Sequence, residues 1–269
     1  DVSASETTTS FKWREFYRAL FTANYTIESE NMIEEGTADE VRQLVGESYM
    51  LRAYVHFLLV NLYGEPYTHC DPATSKAIPL KLNSDTEAVL TRNTVGEVYS
   101  SILSDLVEAE KYLNVDKWEL GYNYRFTTLA VNALRSRVYL YMGDWAKSLE
   151  ASEAVLRVNN QLVDMSSSTI LPNEYNSSEN ILALEEVMNA QYVRAAKVAT
   201  SLWKLYGTGD LRKSKYFKQV TASNIQVIKG GSNQYRCSFR VGEIYLNAAE
   251  AASLTDEAAR SRAQHDLKL

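Results

Sequence analysis

Three stretches carry the side chains whose types and spacing suit ligand chemistry. Trp118, Tyr122 and Tyr124, with Asn123 among them, form the densest cluster, in the polar run DKWELGYNYR from Asp116 to Arg125. Tyr175 sits among Asn173 and Asn176, and Trp203 and Tyr206 precede the Gly207–Asp210 turn. An aromatic ring offers a flat apolar face, and amide or acid groups beside it meet hydroxyls by hydrogen bonds. That combination fits a sugar ring, which has apolar faces and a polar rim. These six aromatics are the candidate ligand-binding residues. Helix packing accounts for most of the other aromatics, tyrosine being heavily used at 18 residues against seven Phe and four Trp.

Bond-breaking chemistry has no comparable signal. No G-x-S-x-G or P-loop occurs, and Gly207-Thr208-Gly209 lacks the third glycine of a dinucleotide fingerprint. Glu185-Glu186 and Asp105 with Glu108 are neighbouring carboxylates, as a glycosidase needs, but solvated charge is the expected state of both pairs. His56, His69 and His265 lie in unrelated segments, without HExxH or CxxC spacing. No catalytic residue, metal or cofactor is expected. Cys70 and Cys237 make no disulfide framework, and their pairing stays open.

The formal charge of -6 and the lack of a lysine- or arginine-rich block argue against a nucleic-acid partner. The most apolar run, Tyr54–Tyr63, holds His56 and Asn61 and is about half the ~20 residues of a membrane span. Asp1–Ser10 is polar and lacks the apolar core of a signal peptide.

The elements that must position the candidates are mainly helical. Ser136–Val155 reads as two helices around Gly143-Asp144: Val131, Leu134, Val138 and Tyr141 form one stripe, and small residues follow in the second helix. This spacing matches a tetratricopeptide hairpin, with Ser136 and Ser148 at two small positions. Phe11–Ile27 is amphipathic behind a Ser10 cap. Thr37-Ala38-Asp39-Glu40 and Thr94-Val95-Gly96-Glu97 are capping boxes that open two longer helices. Glu65–Thr91 has three prolines and reads as a long connection, with Ala77–Leu82 at most a short strand. Asn159–Asn180 reads as loop and Asn180–Val187 as a strand. Asn224–Lys229 and Gln234–Phe239 are expected to pair around Gly230-Gly231, and helix returns at Arg240–Ser253, with Thr255 starting a last one. Gly46-Glu47-Ser48-Tyr49, Gly96-Glu97-Val98-Tyr99 and Gly242-Glu243-Ile244-Tyr245 share one form, and Ser136-Arg137-Val138-Tyr139 is a looser copy. The copies at 46, 136 and 242 are expected to be equivalent packing sites.

Four longer segments together resemble the SusD/RagB family of surface nutrient-binding lipoproteins of Bacteroidetes. They are Gly46–Tyr67 (GESYMLRAYVHFLLVNLYGEPY), Arg92–Leu113 (RNTVGEVYSSILSDLVEAEKYL), Ala130–Val155 with its Gly143-Asp144-Trp145, and Arg240–Ala251 (RVGEIYLNAAEA). The resemblance spans nearly the whole chain. It implies a mainly α fold: a tetratricopeptide-like helix-pair scaffold with long loops and a few short strands. Residues 1–269 would form a single SusD-like domain truncated at both ends. Its scaffold helices cover about 11–158 and 240–269, and its loop-rich, minor-strand region about 159–239. It implies non-catalytic capture of an oligosaccharide or other nutrient at the cell surface, and delivery to a SusC-like TonB-dependent outer-membrane transporter. Membrane attachment would come only through an N-terminal lipid anchor absent from this chain. Binding aromatics on loops of the C-terminal half favour Trp203 and Tyr206. Arg52, Arg137, Glu243 and Glu250 are read as packing or ion-pair residues. The alternative is a tetratricopeptide-type adaptor that binds a peptide or protein partner on a concave helical face.

Overall fold

The computed structural model describes residues 13–185, 197–222, 224–229 and 235–266. The chain divides into two compact units: residues 1–116 with 137–144, and residues 117–136 with 145–269. Its secondary structure is mainly helical with short strands, as expected.

In the first unit, α1 (Trp13–Glu28), α2 (Ala38–Tyr63) and α3 (Val95–Tyr112) pack with α2 in the middle. Both capping boxes form: Thr37 and Thr94 each accept from the amide of the glutamate three residues on, which reaches back to the cap amide. Because α2 has neighbours on two sides, its buried face is wider than an apolar stripe and includes Gln43, Arg52 and His56. At Gly46 the end of α3 comes so close that a Cβ would stand 2.8 Å from the Leu113 amide nitrogen. The long connection after α2 is anchored, not loose. Tyr17 donates to Pro79 O (2.6 Å), Asn24 to Lys81 O and Asn83 O (3.0 Å each), and Arg92 to Ala77 O and Lys76 O (2.7 Å each). Ala77–Leu82 makes no strand; Lys76 and Thr94 form an isolated bridge instead.

Helix α4 (Thr128–Met142) ends as its spacing predicts. Gly143 takes φ 73°, the Asp144 amide donates to Tyr139 O (3.0 Å) and the Gly143 amide to Leu140 O (3.1 Å). These two bonds make a Schellman cap, which needs the left-handed residue that glycine supplies.

The second unit contains α5 (Trp145–Val158), β1 (Asn180–Glu185), the short helices α6 (Thr200–Leu205) and α7 (Leu211–Lys215), β2 (Phe217–Thr221), β3 (Asn224–Val227), β4 (Tyr235–Arg240) and α8 (Val241–Asp266). Ser136 and Ser152 hydroxyls meet at 2.7 Å, Ser148 donates to Ser136 O (2.9 Å), and Asn247 of α8 donates to Ser136 Oγ (3.1 Å). The small positions of the hairpin are thus filled by a closed polar network, and α8 packs on α5.

Three expectations are corrected. The strand at 224–227 pairs with 217–221, and 235–240 pairs with 180–185, so the hairpin expected around Gly230-Gly231 does not form; the two glycines themselves lie outside the described residues. Leu182 and Phe239 are register partners and both fully buried, so the apolar contact draws β4 to β1. Thr255 begins no new helix: α8 is continuous, and the Thr255 hydroxyl donates to Ala251 O one turn back (2.8 Å). The 46, 136 and 242 copies are not equivalent. Gly46 admits the end of α3, Ser136 is a hydrogen-bonding hub, and Gly242 abuts the Glu179 carboxylate, to which its amide donates (3.1 Å). The Ser10 cap also lies outside the described residues.

Candidate functional site

Two of the predicted aromatic groups become defined clusters, both within the second unit. The first is built on α6, α7 and β2. Asp210 caps α7 with its carboxylate, accepting from the Arg212 amide (3.0 Å) and, as a fork, from Arg212 Nε (3.0 Å) and Nη2 (2.7 Å). The Arg212 bonds hold the Asp210 carboxyl below the usual carboxylate range. Trp203 on α6 and Tyr206 just after it both lean on Phe217, with ring centroids 6.0 and 5.1 Å away. Lys213 Nζ lies 4.6 Å over the Trp203 ring and donates to Tyr206 O (3.0 Å), while the Arg212 guanidinium lies 5.2 Å over the Tyr206 ring. The β2–β3 ribbon supports this group: Tyr216 O accepts from the Ile228 amide (2.8 Å), and the Val198 amide joins Ile225 O (2.9 Å).

Beside these residues is an open cavity of ≈ 530 Å³, whose wall includes Trp203, Thr208, Asp210, Lys213, Ser214 and Gln219. It offers one indole, two hydroxyls, an amide, a carboxylate and an ammonium to a ligand. Tyr206 stands off this wall, so the structure separates the two residues that the sequence grouped. Lys213, Phe217 and Gln219 were not picked out in the sequence. Only the basic run Arg212-Lys213-Ser214-Lys215 could have pointed there.

The second cluster joins two loops distant in sequence. Asn123 Oδ1 accepts from the Gly121 amide (2.9 Å) and its Nδ2 donates to Tyr175 O (2.8 Å), while its backbone oxygen accepts from the Ala183 amide (2.9 Å). Tyr122 is half exposed and lies 6.5 Å from Trp118 and 6.3 Å from Tyr124. The Trp118 indole donates to Phe126 O (3.0 Å) and carries the Arg125 guanidinium 3.8 Å over its ring. The Asn123 tether brings the loop of Tyr175 to that of Trp118, Tyr122 and Tyr124. The amide of Asn173 is buried with neither its nitrogen nor its oxygen bonded.

One member of the carboxylate pairs departs from expectation. Asp105 is not solvated: it is 3% exposed and fork-bonded to Arg52, whereas Glu108 reaches solvent and Lys111 (2.7 Å). The side chains of Glu185 and Glu186 lie outside the described residues. Cys70 is a free thiol, and the Cys237 side chain lies outside the described residues, as does that of His265. Among the described residues no group of His, Cys, Asp or Glu is arranged to hold a metal ion, and no helix is long and apolar enough to cross a membrane.

A family profile described as SusD-like, "starch-binding associating with outer membrane", matches residues 1–140, more than half of the chain. The chain belongs to the SusD-like family. A SusD-like protein of Formosa agariphila is 29% identical over 159 residues, which cover 59% of this chain and 28% of that protein. A putative sugar-binding protein of Bacteroides vulgatus shares the fold, with a TM-score of 0.78 at 22% identity over 92% of this chain and 61% of that one. A laminarin-binding SusD-like protein gives 0.68 at 19% identity, over 89% and 66%. The chain therefore spans under a third of that curated relative and under two thirds of the solved structures. The SusD-like match agrees with the helical scaffold described above and assigns no ligand residue.

Proposed function

We propose that this chain belongs to a non-catalytic binding protein at the bacterial outer membrane that captures an oligosaccharide or another nutrient, with residues 1–269 forming one SusD-like domain. It delivers the ligand to a TonB-dependent, SusC-like transporter. The observation that carries the reading is the half-buried wall of Trp203, Asp210 and Lys213 around an open cavity, in a chain whose family is described as starch-binding. Stacking on the indole and hydrogen bonds to the surrounding polar groups suffice for capture without breaking a bond. The Trp118–Tyr124 and Tyr175 loops form a second aromatic face in the same unit, suited to an extended chain of sugars.

Isothermal titration against a panel of soluble glycans, including laminarin, tests this reading. Trp203→Ala is expected to weaken binding at least about tenfold, the scale of an aromatic stacking contact. Unchanged binding removes Trp203 from the site. Release of reducing sugar by the purified chain, lost on changing one carboxylate, would establish an enzyme instead. Co-purification with an outer-membrane transporter checks the delivery step.

A further inference from the structure

Residues 197–229 hold seven basic side chains (Lys197, Lys204, Arg212, Lys213, Lys215, Lys218 and Lys229) against one acid, Asp210, although the whole chain has 34 acids to 28 Lys and Arg. They form no block in sequence; Lys204 lies on α6, Arg212, Lys213 and Lys215 on α7, and Lys218 on β2. Asp210 is already bound by Arg212 (2.7 Å). Lys213 stands in the cavity wall, where its bonded partners are a backbone carbonyl and an indole face; the Asp210 carboxylate also feels its charge, but Asp210 is fork-bonded to Arg212 and so answers two cations with one negative charge. Lys215 donates to Ser168 O (3.2 Å) and also faces Asp164, whose carboxylate is bonded to Ser166 and Ser167. Lys204 and Lys218 are exposed, and among the described residues neither makes an ion pair. Like charges that flank a cleft add their fields inside it, and salt screens those farther away than a Debye length of ~8–10 Å.

From this geometry we infer that the Trp203–Lys213 cavity takes an anionic glycan, one bearing uronate carboxylates or sulfate esters, in preference to a neutral one. The inference rests on the glycan-binding reading above and names the ligand class for that site. The indole stacks on a sugar face, Lys213 meets the acidic substituent, and the exposed lysines steer the polyanion. Arg212 stays with Asp210 and orders the turn. Nucleic-acid bases also stack on an indole; the starch-binding description of the family favours a polysaccharide, and the experiment separates the two.

Binding of the purified chain to laminarin (neutral), polygalacturonate (carboxylate), ι-carrageenan (sulfate) and a duplex DNA oligonucleotide is compared at about 0.05 and 0.5 M NaCl, where screening differs strongly. At low salt at least one acidic glycan is expected to bind on the order of tenfold tighter than laminarin, with the advantage collapsing at high salt. Lys213→Gln shrinks the ratio of acidic to neutral affinity. Should that variant fail to fold by circular dichroism, the exposed Lys204→Gln carries the same comparison. Laminarin binding that equals or exceeds acidic-glycan binding at both salts overturns the inference and leaves the glycan reading intact. A preference undiminished in the folded lysine variant also overturns it. Failure to bind any glycan overturns the reading itself, and DNA bound as tightly as the acidic glycans reassigns the surface to general polyanion binding.

Discussion

Arg52 and Asp105 face each other as a fork-bonded pair, at 2.9 Å from Nε and 2.6 Å from Nη2, with side chains only 10% and 4% exposed. Arg52 also donates to Asn24 Oδ1 (2.8 Å), and Asn24 in turn holds Lys81 O and Asn83 O. One guanidinium thus links α2 to α3, to α1 and to the long connection. Burial pushes the Asp105 carboxyl up, against the pull of Arg52. Removing one partner leaves an uncompensated buried charge. Arg52→Ala is expected to cost about 3–5 kcal/mol. Arg52→Met with Asp105→Leu should recover much of that loss. Urea denaturation followed by circular dichroism checks both, with amide exchange in α2 and α3 locating the effect in the first unit.

His56 makes stability depend on pH. It is fully buried, its Nε2 accepts from the Lys81 amide (3.4 Å), and its Nδ1 is unbonded. The neutral ring therefore carries its proton on Nδ1, and a second proton would set Nε2–H against the Lys81 N–H. Burial first, and the Arg52 charge second, push its pKa down to about 3 from 6.5. Below pH 6.5 the unfolded chain takes up a proton that the folded chain refuses. Stability is full above that pH and falls as the pH drops toward 3, at about 1.4 kcal/mol per unit once the unfolded-state histidine is protonated. Denaturant midpoints measured from pH 7 to pH 4 should show this slope, and a folded His56→Gln variant should lose it.

Gly46 and Gly143 are required for different reasons, which predicts different rescue. At Gly143 the φ of 73° is the constraint, so Gly143→Ala costs roughly 1–2 kcal/mol and Gly143→Asn less. At Gly46 the constraint is space. A Cβ meets Leu113 N at 2.8 Å and Leu113 Cγ at 2.9 Å, so Gly46→Ala costs about 1–3 kcal/mol and Asn is worse. The order Asn above Ala at 143, and Ala above Asn at 46, is the measurement that distinguishes them by thermal denaturation.

What the sequence conveyed divides along local and non-local lines. Capping at Thr37 and Thr94 and the turn at Gly143 depend on residues within five positions, and these are formed as read. Strand pairing did not follow, because the partner of β4 is decided by Leu182 meeting Phe239 across 57 positions. Arg52 and His56 sit on the core face of α2 because a helix with packed neighbours on two sides buries polar positions that periodicity leaves to solvent. At the candidate site, Trp203 lines a cavity from the short helix α6, where the sequence reads as loop. Lys213, by contrast, gains its place by reaching the Trp203 ring and Tyr206 O, and the basic run around it says nothing of those partners.

The Asn123 tether predicts which aromatic face serves the ligand. Asn123 joins three backbone points, Gly121 N, Tyr175 O and Ala183 N, and two of these contacts use its side chain. Asn123→Ala removes the side-chain pair and leaves the strand contact. Gly121, at φ 106°, then loses the bond that fixes its loop, and the loop of Tyr122 and Tyr124 loses its side-chain tether to Tyr175 O. Ordering loops again on binding costs affinity. If a bound glycan spans this face, Asn123→Ala weakens it several-fold, and the Tyr122→Ala variant shows the same loss with no further loss in the double variant. If Trp203 alone holds the ligand, Asn123→Ala leaves affinity unchanged while Trp203→Ala abolishes it. Titration of Asn123→Ala, Trp203→Ala and the two combined against one glycan decides between a single subsite and an extended one, because the losses of separate subsites add.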